Sequence, residues 1–155
     1  MGGYAGWMRS ALAEAKGALE TGDVPVGSVI VDAGGEVIGR GRNRREADGD
    51  PLAHAEIVAL RDAAAARGDW NLEDCTLVVT LEPCLMCAGA ILAARVSRLV
   101  YGAWDEKAGA VGSVYDVIRD RRLPQRAEVV AGVEAEECAR LLTDFFQERR
   151  LPPAD

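Results

Sequence analysis

Histidine occurs once in these 155 residues, at position 54, and cysteine only four times, at 75, 84, 87 and 138. Aromatic residues make up 5% of the chain, and 18 basic residues face 25 acidic ones for a formal net charge of −7. No run reaches the roughly eighteen apolar residues of a membrane span, and no charged-then-apolar leader opens the chain. Each shortage excludes something. Four cysteines do not make the disulfide framework of a small secreted domain, so a reducing cytoplasm is expected. The acidic balance argues against nucleic-acid binding through overall charge, because such binders usually carry a basic footprint. It leaves room for local patches. No repeat, linker or low-complexity stretch divides the chain. At 49% hydrophobic and 28% charged, it reads as one domain over 1–155 with enough length for a single core. Residues 1–4 and 151–155 are expected to be loose.

What is scarce is also concentrated. The one histidine stands in His54-Ala55-Glu56, and thirty residues later comes Pro83-Cys84-Leu85-Met86-Cys87. A catalytic zinc takes three protein ligands and leaves a fourth tetrahedral position for water. His54, Cys84 and Cys87 supply the three, one zinc per chain, and Glu56 is left free to move protons. Alone, His-x-Glu is weak, and Cys-x-x-Cys could be a redox pair or half of a zinc knuckle. A structural zinc would need Cys75 or Cys138 as fourth ligand. Cys75 opens an apolar strand-like run that would carry it away from Cys84. Cys138 falls on an amphipathic helix with Leu141, Leu142 and Phe145, where a thiol behaves as a small hydrophobe. The site therefore reads as open. Together the two motifs form the His-x-Glu…Pro-Cys-x-x-Cys signature of zinc nucleobase deaminases. Zinc there would make a hydroxide at neutral pH. Glu56 would take the water's proton and pass one to the ring nitrogen of the base. Glu82, the other nearby acid, reads as a helix-start residue ahead of Pro83.

The periodicity predicts alternating elements. A first helix spans about 5–20, on Trp7, Met8, Leu12, Ala15 and Leu19. Strands at 26–31 and 36–42 are joined by the turn Asp32-Ala33-Gly34-Gly35. A second helix is expected to start at Asp50-Pro51, Asp as N-cap and Pro first in the helix, and to stop at Gly68. Then come a strand at 75–81, a helix opened by Pro83, and a strand at 97–101. A Gly-rich loop at 102–113 leads to a short helix near 114–119, a fifth strand at 128–131 and a last helix over 134–150. That pattern makes an α/β fold, a mixed sheet with helices on both faces. Cys84 and Cys87, three apart, share one side of a helix start. His54 and Glu56 lie about 200° apart around a helix. They converge only if the metal lies off a helix N-terminus, so two helix N-termini facing one metal is the expected geometry.

With these residues in hand, the chain resembles the bacterial tRNA wobble-adenosine deaminases (the TadA family), over nearly its whole length. Besides the zinc motifs, the resemblance rests on Asp23-Val24-Pro25-Val26-Gly27, Asn43, Asp50-Pro51 and the run Thr80 to Ala90. It continues in Gly102 to Lys107, Gly109 to Ser113, Glu137 to Leu142 and Phe145-Phe146. It implies a three-layer α/β/α deaminase fold with a five-stranded sheet, a homodimer, and hydrolysis of adenosine to inosine in a tRNA anticodon arm. Asn43 is then expected to hydrogen-bond the flipped-out nucleotide. Asp105 would contact ribose or backbone, and Lys107, Arg149 and Arg150 phosphates. Two departures stand out. Pro124-Gln125-Arg126 replaces an Asn-His-Arg run, and Trp104 stands where some relatives carry arginine, free to stack on a base or fill a dimer interface. Arginines cluster at 40, 42, 44 and 45, and again at 119, 121, 122 and 126. Two other readings stay open: deamination of a free nucleobase such as guanine or cytosine, and a zinc-stabilised binding module without catalysis.

Overall fold

Alternation within the strands builds the middle layer. In the computed structural model, which describes residues 3–150, the strands are β1 (Gly27–Val31), β2 (Val37–Arg42), β3 (Thr76–Leu81), β4 (Arg98–Ala103) and β5 (Glu128–Val130). They form one five-stranded sheet in the order β2-β1-β3-β4-β5. β1 runs antiparallel to both β2 and β3, whereas β3, β4 and β5 run parallel. Side chains on a strand point alternately to opposite faces. Ile30, Leu77, Val79, Leu99 and Tyr101 accordingly enter one core cluster, and Val29, Val31, Val78 and Val100 enter the other.

A helical layer covers each face. α1 (Tyr4–Gly17) and α5 (Ala135–Arg150) share one side, contributing Met8, Ala11, Leu12 and Cys138. α3 (Ala55–Arg67) and α4 (Leu85–Ala93) share the other, contributing Ala59, Leu60, Ala63, Ala88, Ile91 and Leu92. A single turn, α2 (Arg45–Asp48), had no counterpart in the sequence reading. This is the expected α/β/α sandwich.

Three local expectations give way. Asp50-Pro51 does not open a helix: the Asp50 side chain accepts the Leu52 amide at 2.9 Å, and α3 begins only at Ala55. A short acid side chain that bonds its own backbone two residues on makes a turn in competition with a cap. The helix near 114–119 is absent. That stretch instead folds back through Val117 N–H to Ala110 O at 2.8 Å and buries Ile118. Tyr4, expected to be loose, is the first residue of α1, while 1–2 and 151–155 lie outside the described residues.

α3 must lie close to β2 to bring its N-terminus to the sheet's edge. Gly41 allows this, since a Cβ there would overlap the backbone of Ala55 and Ala59. Gly41→Ala is expected to destabilise by about 1–3 kcal/mol, the usual cost of overpacking, read as a lowered midpoint in thermal unfolding. An unchanged midpoint would show that α3 has room to move.

Candidate metal centre and active site

Two helices on the same face of the sheet end their N-termini toward one point. His54 is the N-cap residue of α3 and Cys84 that of α4, each with extended backbone, φ −70° and −75°. Cys87 lies within the first turn of α4. The His54 Nδ1 stands 3.6 Å from the Cys84 Sγ and 3.4 Å from the Cys87 Sγ. Zinc–nitrogen bonds of about 2.0–2.1 Å and zinc–sulfur bonds of about 2.3 Å at tetrahedral angles put nitrogen and sulfur roughly 3.6 Å apart. The three donors fit zinc. No fourth side chain joins the group among the described residues. Cys75 is buried beside the start of β3, and Cys138 is buried in the α1–α5 core layer. Neither belongs to the three-donor group.

The electrostatics suit a metal that needs thiolates. A hydrogen bond from the Cys87 thiol, opposed by burial and reinforced by His54 and the Cys87 amide, holds Cys84 at about 3. The same pairing pushes Cys87 upward, so one negative charge is shared until a cation takes the proton's place. The bond to Cys84 raises His54. Glu56, in the first turn of α3, is 4% exposed. Burial lifts its carboxyl to about 7, and it stands outside the ligand group.

His54, Glu56 and Cys84 open onto a cavity of about 200 Å³ whose wall includes Asn43, Arg45 and Asp105. Pockets for drug-sized ligands run to roughly 300–1,000 Å³, so this one suits a single heterocycle. Asn43 follows β2 and is 9% exposed. Its Oδ1 accepts the Arg45 amide at 3.1 Å and its Nδ2 donates to Val24 O at 3.2 Å. These bonds fix the amide and leave one donor and one acceptor position unused. Asp105 is likewise fixed, its Oδ1 accepting the amides of Lys107 and Ala108, both at 3.1 Å. Lys107 lines a larger adjoining groove, with Trp104, Leu142 and Phe146. Arg149 and Arg150 line neither space. Arg149 donates to Gly22 O and lies 4.4 Å over the Phe145 ring, so it also anchors the end of α5.

Three residues matter more than the sequence reading allowed. Glu82 is no helix-start residue but a buried carboxylate wrapped by the 105–113 loop. Arg45, one of a cluster in the sequence, stands alone of that cluster on the cavity wall. Asp23 holds α2 beside the cavity by accepting the Glu46 amide at 2.6 Å and the Ala47 amide at 3.2 Å. Burial pushes its carboxyl up, but those amides and the Thr21 hydroxyl outweigh it, and the net shift is downward. An acid two residues before a proline carries no such signal in sequence.

Removing a thiolate from a three-ligand site leaves too few donors to hold the metal. Cys84→Ala is expected to lose zinc and activity together, measured by metal analysis of the purified protein. Full zinc occupancy in that variant would show a different ligand set.

Residues 3–103 match the family of the cytidine and deoxycytidylate deaminase zinc-binding region. Over 143 residues the chain is 50% identical to a tRNA-specific adenosine deaminase of Haemophilus influenzae, covering 92% of this chain and 83% of that protein. It is 53% identical over 148 residues to a tRNA(Ile)-lysidine synthase of Deinococcus radiodurans, where it covers 96% of this chain but spans only a quarter (25%) of that protein. A solved structure from a study of A-to-I editing by tRNA:A34 deaminases superposes with a TM-score of 0.84 at 43% identity, covering 88% of this chain and 98% of that one. Likeness of this extent, in a chain that also brings the deaminase ligand set together in space, settles its kinship: it belongs to the cytidine and deoxycytidylate deaminase zinc-binding family, in the branch of the tRNA-specific adenosine deaminases.

Proposed function

We propose that this chain hydrolyses adenosine to inosine at the wobble position of a tRNA anticodon, releasing ammonia. One observation carries the chemistry: the three-donor group with Glu56 buried beside it, opening onto a cavity for one heterocycle. The tRNA substrate is supported by the relatives and by the groove of Trp104, Lys107 and Phe146 alongside the cavity, which gives neighbouring nucleotides somewhere to lie.

His54, Cys84 and Cys87 hold the zinc, which when bound supplies an acidified water at neutral pH. The Glu56 carboxylate takes the water's proton, returns one to the ring nitrogen and assists departure of ammonia. Asn43, held by its two internal bonds, offers its remaining donor and acceptor to the nucleotide. Arg45 puts positive charge on the wall of the cavity. Asp105 presents its carboxylate to ribose or backbone, and Lys107, Arg149 and Arg150 meet phosphates. The 155 residues act as one deaminase domain, paired as a homodimer in the cytoplasm. Among the described residues no helix is long and apolar enough to cross a membrane.

Glu56→Ala is expected to keep zinc and fold while turnover falls by roughly 10²–10⁴, the usual contribution of a general acid–base group. Assays should offer an anticodon stem-loop with adenosine at the wobble position beside free bases and nucleosides. Efficient deamination of a free base, with none of the stem-loop at low salt, would replace the tRNA reading by a small-molecule one. Near-normal turnover in the variant would move the proton role elsewhere.

Replacing Arg149 and Arg150 together with alanine should weaken stem-loop binding and flatten its salt dependence, by about 0.7 in log–log slope per lost single-strand phosphate contact. Arg150→Ala alone separates the phosphate role from the anchoring of Arg149. An unchanged slope in the double variant would take the C-terminal end of α5 out of the RNA interface.

A further inference from the structure

Glu82 is a buried acid on the cavity wall to which the chemistry proposed above gives no role. It is 2% exposed, and no ion pair among the described residues includes it. A carboxylate removed from water needs donors on both oxygens. Here they all come from one loop. Oε1 accepts the Asp105 amide at 3.1 Å and the Ser113 hydroxyl at 2.5 Å. Oε2 accepts the amides of Val111 at 3.0 Å and Ser113 at 3.1 Å. Gly109 closes over the group so tightly that a Cβ there would overlap the carboxylate. The parallel register of Leu81 with Ala103 explains the meeting, because it sets the residues after β3 beside those after β4.

The wrapped loop is also a wall of the substrate space. Asp105 and Ala108 line the catalytic cavity, and Lys107 lines the groove beside it. With loop donors on both its oxygens, Glu82 is held as an acceptor for the loop rather than free to turn toward a reacting base. We propose that Glu82 is the positioning residue of the substrate loop: its carboxylate fixes Asp105 and Lys107 where the nucleotide meets them, and so sets substrate affinity without moving a proton in the reaction. The inference rests on the nucleotide-deaminase reading of the site.

Glu82→Gln tests it on the zinc-loaded protein. The amide keeps the shape but offers one acceptor, so at least one of the four donors loses its partner. KM for the anticodon stem-loop is expected to rise about tenfold, the scale of one lost hydrogen bond to a charged group, with kcat within a few-fold and zinc content unchanged. Hydrogen exchange should quicken in peptides covering 105–113 and stay unchanged in α5. Ser113→Ala, which leaves the carboxylate whole, should show a smaller rise in KM with the same exchange signature, and carries the test if the glutamine variant does not fold. A kcat loss of a hundredfold or more at unchanged KM would put Glu82 in the proton path and overturn the proposal. Unchanged KM and unchanged exchange would overturn it too. Wild-type protein that makes no inosine from the stem-loop would end the tRNA reading instead, while the exchange comparison still decides whether Glu82 holds the loop.

Discussion

Two positive helix ends, those of α3 and α4, converge on the point where a metal binds, and the rest of the site depends on how that charge is balanced. The first four backbone N–H groups of a helix lack partners within it, and their aligned dipoles favour negative charge. Cys84, as an N-cap residue, places its sulfur where that field favours thiolate over thiol, and Cys87, in the first turn, lies beside it. His54 arrives from the other helix end, close enough to both sulfurs to share one cation. Glu56 follows two residues later and turns to the reacting side. The site is thus a property of two helix starts brought together.

What brings them together is the sheet. α3 crosses β2 at short range because Gly39 and Gly41 carry no side chain to hold it off. α4 follows β3 without a gap beyond Glu82-Pro83-Cys84, and the switch from antiparallel β1–β3 to parallel β3–β4 pairing lies beside it. In open α/β sheets, ligands collect outside the carboxyl ends of the strands where the strand order reverses, and in the order β2-β1-β3-β4-β5 that point lies between β1 and β3. Leu81 closes β3 on the catalytic cavity and Ala103 closes β4 on the adjoining groove. The larger space near the starts of β3 and β4, beside Cys75 and Arg98, holds none of the metal donors.

The sequence was most legible where chemistry is tied to residue type and spacing. Histidine, glutamate and two cysteines have few roles that fit His-x-Glu and Pro-Cys-x-x-Cys together, and the geometry agrees with the ligand set. All five strands and the four long helices were also visible, since period-2 and period-3.6 patterns follow directly from burial. Asp50-Pro51 misled because Asp serves turns and caps equally well, and only tertiary contact decides between them. Glu82 misled for a deeper reason. Three of its four hydrogen bonds come from backbone amides 23 to 31 residues away, and backbone donors leave no trace in residue identity. The same blindness hid Asp23, whose carboxylate also serves backbone amides from a distant segment.

The tRNA reading asks an acidic chain to meet a polyanion, and the placement of its charges bears on that. Of the arginines that cluster in sequence, Arg42 pairs with Glu14, Arg44 with Asp48, Arg119 with Asp116 and Arg122 with Asp120. Surface pairs of this kind add little stability, but each cancels a charge that sequence counting would assign to a basic patch. Arg45 has no such pair among the described residues and lies on the cavity wall. Lys107, exposed in the adjoining groove, also stands outside those pairs. Exposed charges more than about a Debye length apart, roughly 8–10 Å at physiological salt, scarcely sense one another. The field a phosphate would meet here is therefore set by Arg45 and Lys107 together with the acids that share their walls, Asp105, Glu106 and Glu136, rather than by the net −7 of the whole chain.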